Sequence, residues 1–132
     1  HVRASRPRFR PTPDQQRQVD DAFVAAARTG DVAALTALLA EQAAFHTDAG
    51  GKAKAAINVI RGREKIVRFV AALAPTLQPL KVRPAAINAT PGYVLDDPTD
   101  GRLWTLSFAF DEDGRIIAIY STANPDKLRG LR

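Results

Sequence analysis

At Pro75 the apolar residues change their spacing, and no other feature limits more strongly what this chain can fold into. Before that point they recur every three or four positions, as on one face of a helix; after it they alternate with polar residues, as on one face of a strand. Over 14–28, Val19, Phe23, Ala26 and Ala27 form one helical stripe, which Gly30 should end. Asp31 suits the cap of a second helix with the stripe Val32, Leu35, Leu38 and Leu39, and the short connection predicts an antiparallel or sharply bent pair. A third helix is predicted over 63–74, with Ile66, Phe69, Val70 and Leu73 inward and Pro75 as its stop. Between the second and third helices, 44–47 and 56–60 read as a short strand pair joined through Gly50 and Gly51.

Beyond Pro75 four strands are predicted, over 80–88, 93–96, 102–110 and 115–122, with Pro91-Gly92, Asp100-Gly101 and Asp113-Gly114 as the turns between them. In the third of these, Trp104, Leu106, Phe108 and Phe110 share a face, with Thr105, Ser107 and Ala109 on the other. Pro84 inside the first marks it as an edge or bulged strand. Helices followed by antiparallel strands give an α+β fold in which a curved sheet wraps its concave face over a long helix, leaving room for a pocket.

Charge and composition narrow the function classes. The chain has no cysteine, which removes disulfides, thiolate nucleophiles and Cys-ligated zinc. No HExxH, GxSxG or GxxxxGK pattern occurs, and the two histidines lie far apart in sequence, so neither a metal nor another cofactor is expected. No apolar run approaches the roughly 20 residues of a membrane span, so no membrane partner and a cytoplasmic location are expected. The absence of methionine and the start on His1 predict a piece of a longer protein. The net charge of +5 gathers at the start, where Arg3, Arg6, Arg8, Arg10 and Arg17 face Asp14 alone among prolines 7, 11 and 13. Such an arm reads as an extended tether, or as a nucleic-acid contact if the arginines meet phosphates. A second basic block runs through 52–83, balanced by Asp96, Asp97, Asp100, Asp111, Glu112 and Asp113.

His46, Asp48, Asn58, Tyr93, Trp104 and Tyr120 are the polar candidates for the concave face. His46 and Asp48, two apart on a strand, share a face and would serve as a proton-transferring pair if they lined an apolar pocket; a satisfied core or rim histidine beside a loop carboxylate is the plainer reading. At 48–52 the sequence is DAGGK, whose adjacent glycines admit close approach by another backbone, while Asp48 and Lys52 can each bind a polar partner across an interface; taken alone it is a hairpin turn. Asn124, Pro125, Asp126, Lys127 and Leu128 follow the last strand as a turn and short tail.

The element order resembles the nuclear transport factor 2-like superfold and its SnoaL-like branch, which hosts enzymes, binding modules and structural domains. DAGGK and NPDKL together, with AAINVIRGR at 55–63 and the opening HVRASRPRF, resemble the C-terminal extension of a bacterial extracytoplasmic-function (ECF) sigma factor of the group with DGGGK and NPDKL motifs. Ala49 stands where that group has its first glycine. The resemblance implies a basic linker at 1–13 behind sigma region 4, a SnoaL-like domain at 14–123 and a tail at 124–132. It implies regulation in cis, without catalysis: Asp48, Gly50, Gly51 and Lys52 would contact sigma regions 2 and 4 of the same parent chain, and Asn124, Pro125, Asp126, Lys127 and Leu128 would set activity. RNA polymerase core and promoter DNA are then partners through the parent chain. The alternative is a small-molecule sensor or vestigial isomerase or hydrolase whose pocket, lined by His46, Asn58, Tyr93, Trp104 and Tyr120, takes an unidentified ligand.

Overall fold

The computed structural model describes residues 12–48, 58–99 and 101–123. Helix α1 spans Pro13–Thr29. Its start is a capping box: the Thr12 hydroxyl accepts from the Gln15 amide at 3.1 Å, the Gln15 side chain accepts from the Thr12 amide at 2.9 Å, and Pro13 supplies a first turn that needs no N–H. Gly30 closes it in the left-handed region at φ 73°. Helix α2, Val32–Leu38, begins where Asp31 accepts from the Ala34 amide at 3.1 Å.

Strand β1, Leu39–Asp48, follows α2 without a loop and starts well before the expected residue 44. Leu39 therefore leaves the helical stripe to which its spacing assigned it. It pairs with Ile116 and is wholly buried there, and a register shift between Leu39 and Ala44 bends the strand. Burial and ladder pairing outweigh a helical preference of a few tenths of a kcal/mol. Strand β2, Asn58–Arg61, runs antiparallel to β1. Helix α3, Arg63–Ala72, stops at Leu73, and Pro75 then sits in the first turn of α4, Ala74–Leu77. The proline starts a short helix as well as ending a long one, because only a first turn tolerates its missing donor.

Strands β3 (Lys81–Ile87), β4 (Thr90–Asp96), β5 (Leu103–Phe110) and β6 (Ile116–Thr122) complete a sheet ordered β2-β1-β6-β5-β4-β3, antiparallel except for the parallel pair β1·β6. Pro84 lies on edge strand β3, which pairs with β4 alone. The β3–β4 turn is Asn88-Ala89, with φ of 53° and 66°, and Pro91-Gly92, expected to form it, lies inside β4. Two positive φ values are what a tight hairpin needs to match strand twist, and pairing of β4 with β5 begins only at Gly92, past the proline. Gly92 is needed for space. A Cβ there would stand 2.5 Å from the Leu106 carbonyl oxygen and 2.7 Å from Ile87 Cγ1. Gly92→Ala should cost about 1 to 3 kcal/mol, read as a lower urea midpoint; an unchanged midpoint would show that the sheet opens freely there.

The core lies between the helices and one sheet face. Phe23, Leu35, Leu39, Phe45, Ile66, Val70, Ile116 and Ile119 are buried in it, and Phe23 meets Phe108 edge to face at 5.3 Å between centroids. Phe108, Leu106 and Phe110 turn their shared face to this core, as the alternation predicted. The opposite face is not uniformly polar: Val94 and Leu103 form a small buried cluster there and Thr105 is buried beside them in sequence.

Candidate functional site

The parallel pairing of β1 with β6 decides where the motif segments start. Its register ends with Asp48 opposite Thr122, and the Ala123 amide donates to the Asp48 carbonyl at 2.9 Å. Residue 48 opens the DAGGK segment and residue 123 immediately precedes NPDKL, so two motifs far apart in sequence set out from adjacent points at one end of the sheet. Gly50, Gly51, Lys52, Asn124, Pro125, Asp126, Lys127 and Leu128 themselves lie outside the described residues.

The polar residues expected to share a pocket are divided between the two faces of the sheet. Phe45 is buried against the helices and meets Phe69 edge to face, so His46 and Asp48, alternating with it, belong to the outer face. There the His46 ring stacks on Tyr120, its register partner, at 4.9 Å, and Tyr120 is 45% exposed. Asn58 is exposed on β2, where its carbonyl accepts from the Thr47 hydroxyl. Of the five, Trp104 lines the apolar cavity beneath the helices, together with Phe23, Leu77, Leu95 and Leu106. An acid and a base on the outer face cannot serve chemistry in that cavity.

Tyr93 does face the helices, and it leads to a cluster that the candidate set missed. Its hydroxyl donates to Asp21 Oδ1, the Arg17 guanidinium stands 5.1 Å from its ring centroid, and Arg17 also donates to the Gly92 carbonyl at 3.1 Å. Burial, reinforced by the Asp21 carboxylate, raises the Tyr93 hydroxyl above its ordinary range and keeps it a donor. Beside them Asp20 is 1% exposed, and its Oδ1 has no hydrogen-bond partner among the described residues. Burial pushes the Asp20 carboxyl up from 3.8 to about 7, against the opposing pull of Arg17. The signal was present in the sequence: Asp20 lies three positions before Phe23 and seven before Ala27, on the buried stripe itself.

No group of three or more His, Cys, Asp or Glu side chains suited to a metal ion occurs among the described residues, and no helix among them is long and apolar enough to cross a membrane.

Known proteins share this architecture. The ECF RNA polymerase sigma factor SigJ of Mycobacterium tuberculosis is 29% identical over 122 residues, an alignment covering 82% of this chain and 37% of that protein. The crystal structure of SigJ superposes with a TM-score of 0.66 at 26% identity, covering 88% of this chain and 44% of the other. A SnoaL-like protein of unknown function from Burkholderia thailandensis superposes at 0.64 and 17% identity, over 87% of this chain and 99% of its own, and shows the fold alone. This chain thus spans well under half of its sigma-factor relative. The SnoaL-like domain profile matches residues 21–119, three quarters of the sequence, and the helices over a curved, largely antiparallel sheet are those of the nuclear transport factor 2-like fold: the chain belongs to the SnoaL-like domain family.

Proposed function

We propose that this is the regulatory C-terminal domain of an ECF sigma factor, acting in cis on the sigma regions of its own parent chain and without catalytic turnover. One observation carries the reading. Asp48 and Thr122 are register partners, so the DAGGK segment and the NPDKL tail start side by side and can work as one contact surface. Asp48, Gly50, Gly51 and Lys52 form the interdomain contact; Asn124, Pro125, Asp126, Lys127 and Leu128 form the tail that sets activity; residues 1–13 tether the domain, at 14–123, to sigma region 4. The similarity to SigJ supports the sigma-factor context, and the separation of His46 and Asp48 from the cavity argues against proton-transfer chemistry.

Physically this is a two-state equilibrium. Docking on sigma regions 2 and 4 holds them in an arrangement whose affinity for RNA polymerase core differs from that of the undocked form, and promoter DNA is engaged in the cytoplasm through the parent chain. A coupling of ~1 to 3 kcal/mol changes transcription roughly 5- to 150-fold, within reach of a few polar contacts. The test is transcription from the parent's promoter after removal of residues 124–132 from the full chain. Unchanged output would contradict the proposal.

A further inference from the structure

The outer face of the sheet carries apolar residues that are buried although the helices pack on the other side. The strand registers lay this face out in rows: Thr122, Thr105 and Val94 are successive partners across β6, β5 and β4, and Leu103 and Asp96 are partners in the next row. Val94 is wholly buried, Leu103 is 3% exposed and Thr105 6%. The helices fill the inner face with Phe45, Phe108 and Ile119, and among the described apolar residues Ala85 alone packs against Val94 and Leu103. Water reaches a valine on an open sheet face, so this burial calls for a cover. Because Val94 and Leu103 are buried within a single chain, the cover belongs to this chain.

We infer that the cover is the chain's own end: residues 124–132 fold back across β6, β5 and β4 and seat Leu128 and Leu131 on Val94 and Leu103. Position favours this segment. Strand β6 runs toward the Leu103 end of β5 and finishes at Thr122, in the same row as Thr105 and Val94. From β6 to β4 is two strand spacings, about 10 Å, whereas the nine residues of 124–132 reach about 30 Å when extended. Asn124-Pro125 supplies the turn out of the strand. Composition agrees: Leu128 and Leu131 alternate with Lys127, Arg129 and Arg132, so leucines can face the sheet while cations reach solvent or Asp96, the half-buried partner of Leu103. The other long segments outside the described residues fit less well. Residues 1–11 join α1 at Thr12, on the helix side, and must round an edge of the sheet to arrive. Residues 49–57 are tied to Asp48 and Asn58 and can send out only half their length, about 14 Å, which is the whole distance from β1 to Val94. With the tail seated, a partner reaching the outer face must first lift it. This inference concerns the chain alone and stands or falls independently of docking to sigma regions.

The contact can be read in the unaltered chain of 132 residues. Nuclear Overhauser effects are expected from the methyls of Leu128 or Leu131 to those of Val94 or Leu103, within one molecule. A chain ending at Ala123 should shift the amide resonances of Val94, Leu103 and Thr105 as strongly as those of Ser121 and Thr122 beside the cut. Leu128→Ser combined with Leu131→Ser should shift the same three amides with the tail still present, and removing residues 1–11 should leave them in place. Absence of the methyl contacts in the unaltered chain would overturn the inference. So would contacts to Val94 or Leu103 from Val2 or Ile57 in place of the two leucines, or contacts found only between differently labelled copies, which would assign the face to a second molecule. Should the shortened or substituted chains fail to fold, the unaltered chain still decides it.

Discussion

Asp20→Asn should make the domain more stable at pH 8 by about 1 to 4 kcal/mol and leave it nearly unchanged at pH 4. The Asp20 carboxyl is 1% exposed, and in the fold it holds its proton up to about pH 7, whereas the unfolded chain releases it near 3.8. Below 3.8 both states carry the proton and nothing is lost. Between 3.8 and 7 only the unfolded chain is ionised, so unfolding releases a proton and stability falls as pH rises; above 7 both are ionised and the loss levels off. About three pKa units correspond to ~4 kcal/mol at the limit, a large share of the stability of a domain this size. Asparagine keeps the shape and cannot ionise. Urea unfolding of both proteins at pH 4 and pH 8 isolates this group from the exposed carboxylates, which titrate equally in both. A variant no more stable than wild type at pH 8 would contradict the account.

In the full parent chain, Lys52→Ala and removal of residues 124–132 should each shift transcription in the same direction, roughly 5- to 150-fold, and together by no more than the stronger of the two. Effects at separate, independent sites multiply, whereas two halves of one contact surface do not, because either loss already releases the docked form. The expectation of one surface comes from the pairing of Asp48 with Thr122 and the bond between the Ala123 amide and the Asp48 carbonyl. A promoter reporter in which the double variant equals the product of the singles would separate the segments into two devices.

Much of this architecture is legible in the residues, and the places where it is not have identifiable causes. The α1 stripe and the alternation through Trp104, Leu106, Phe108 and Phe110 follow from local periodicity, and Pro84 falls on an edge as its missing N–H requires; in α2 and α3 the stripes are only partly right, since Val32 and Phe69 stay exposed and Val67 is buried instead. Pro91-Gly92 misleads because the pair is common in turns, yet here Gly92 is required by the close approach of Leu106 and Ile87, and the turn goes to Asn88 and Ala89. The start of β1 misleads because Leu39 is decided by its distant partner Ile116. Within the candidate site a one-residue parity matters most. Phe45 fixes the inner face, and that alone sends His46 and Asp48 outward, away from Trp104. The meeting of β1 with β6 is written in neither strand, since parallel pairing of remote segments depends on the whole sheet.

The central claim is tested most directly by titrating this domain against separately purified sigma regions 2 and 4 of its parent, wild type beside Lys52→Ala. The account predicts saturable binding that weakens at least tenfold in the variant. No detectable binding, or equal binding by both proteins, would contradict it.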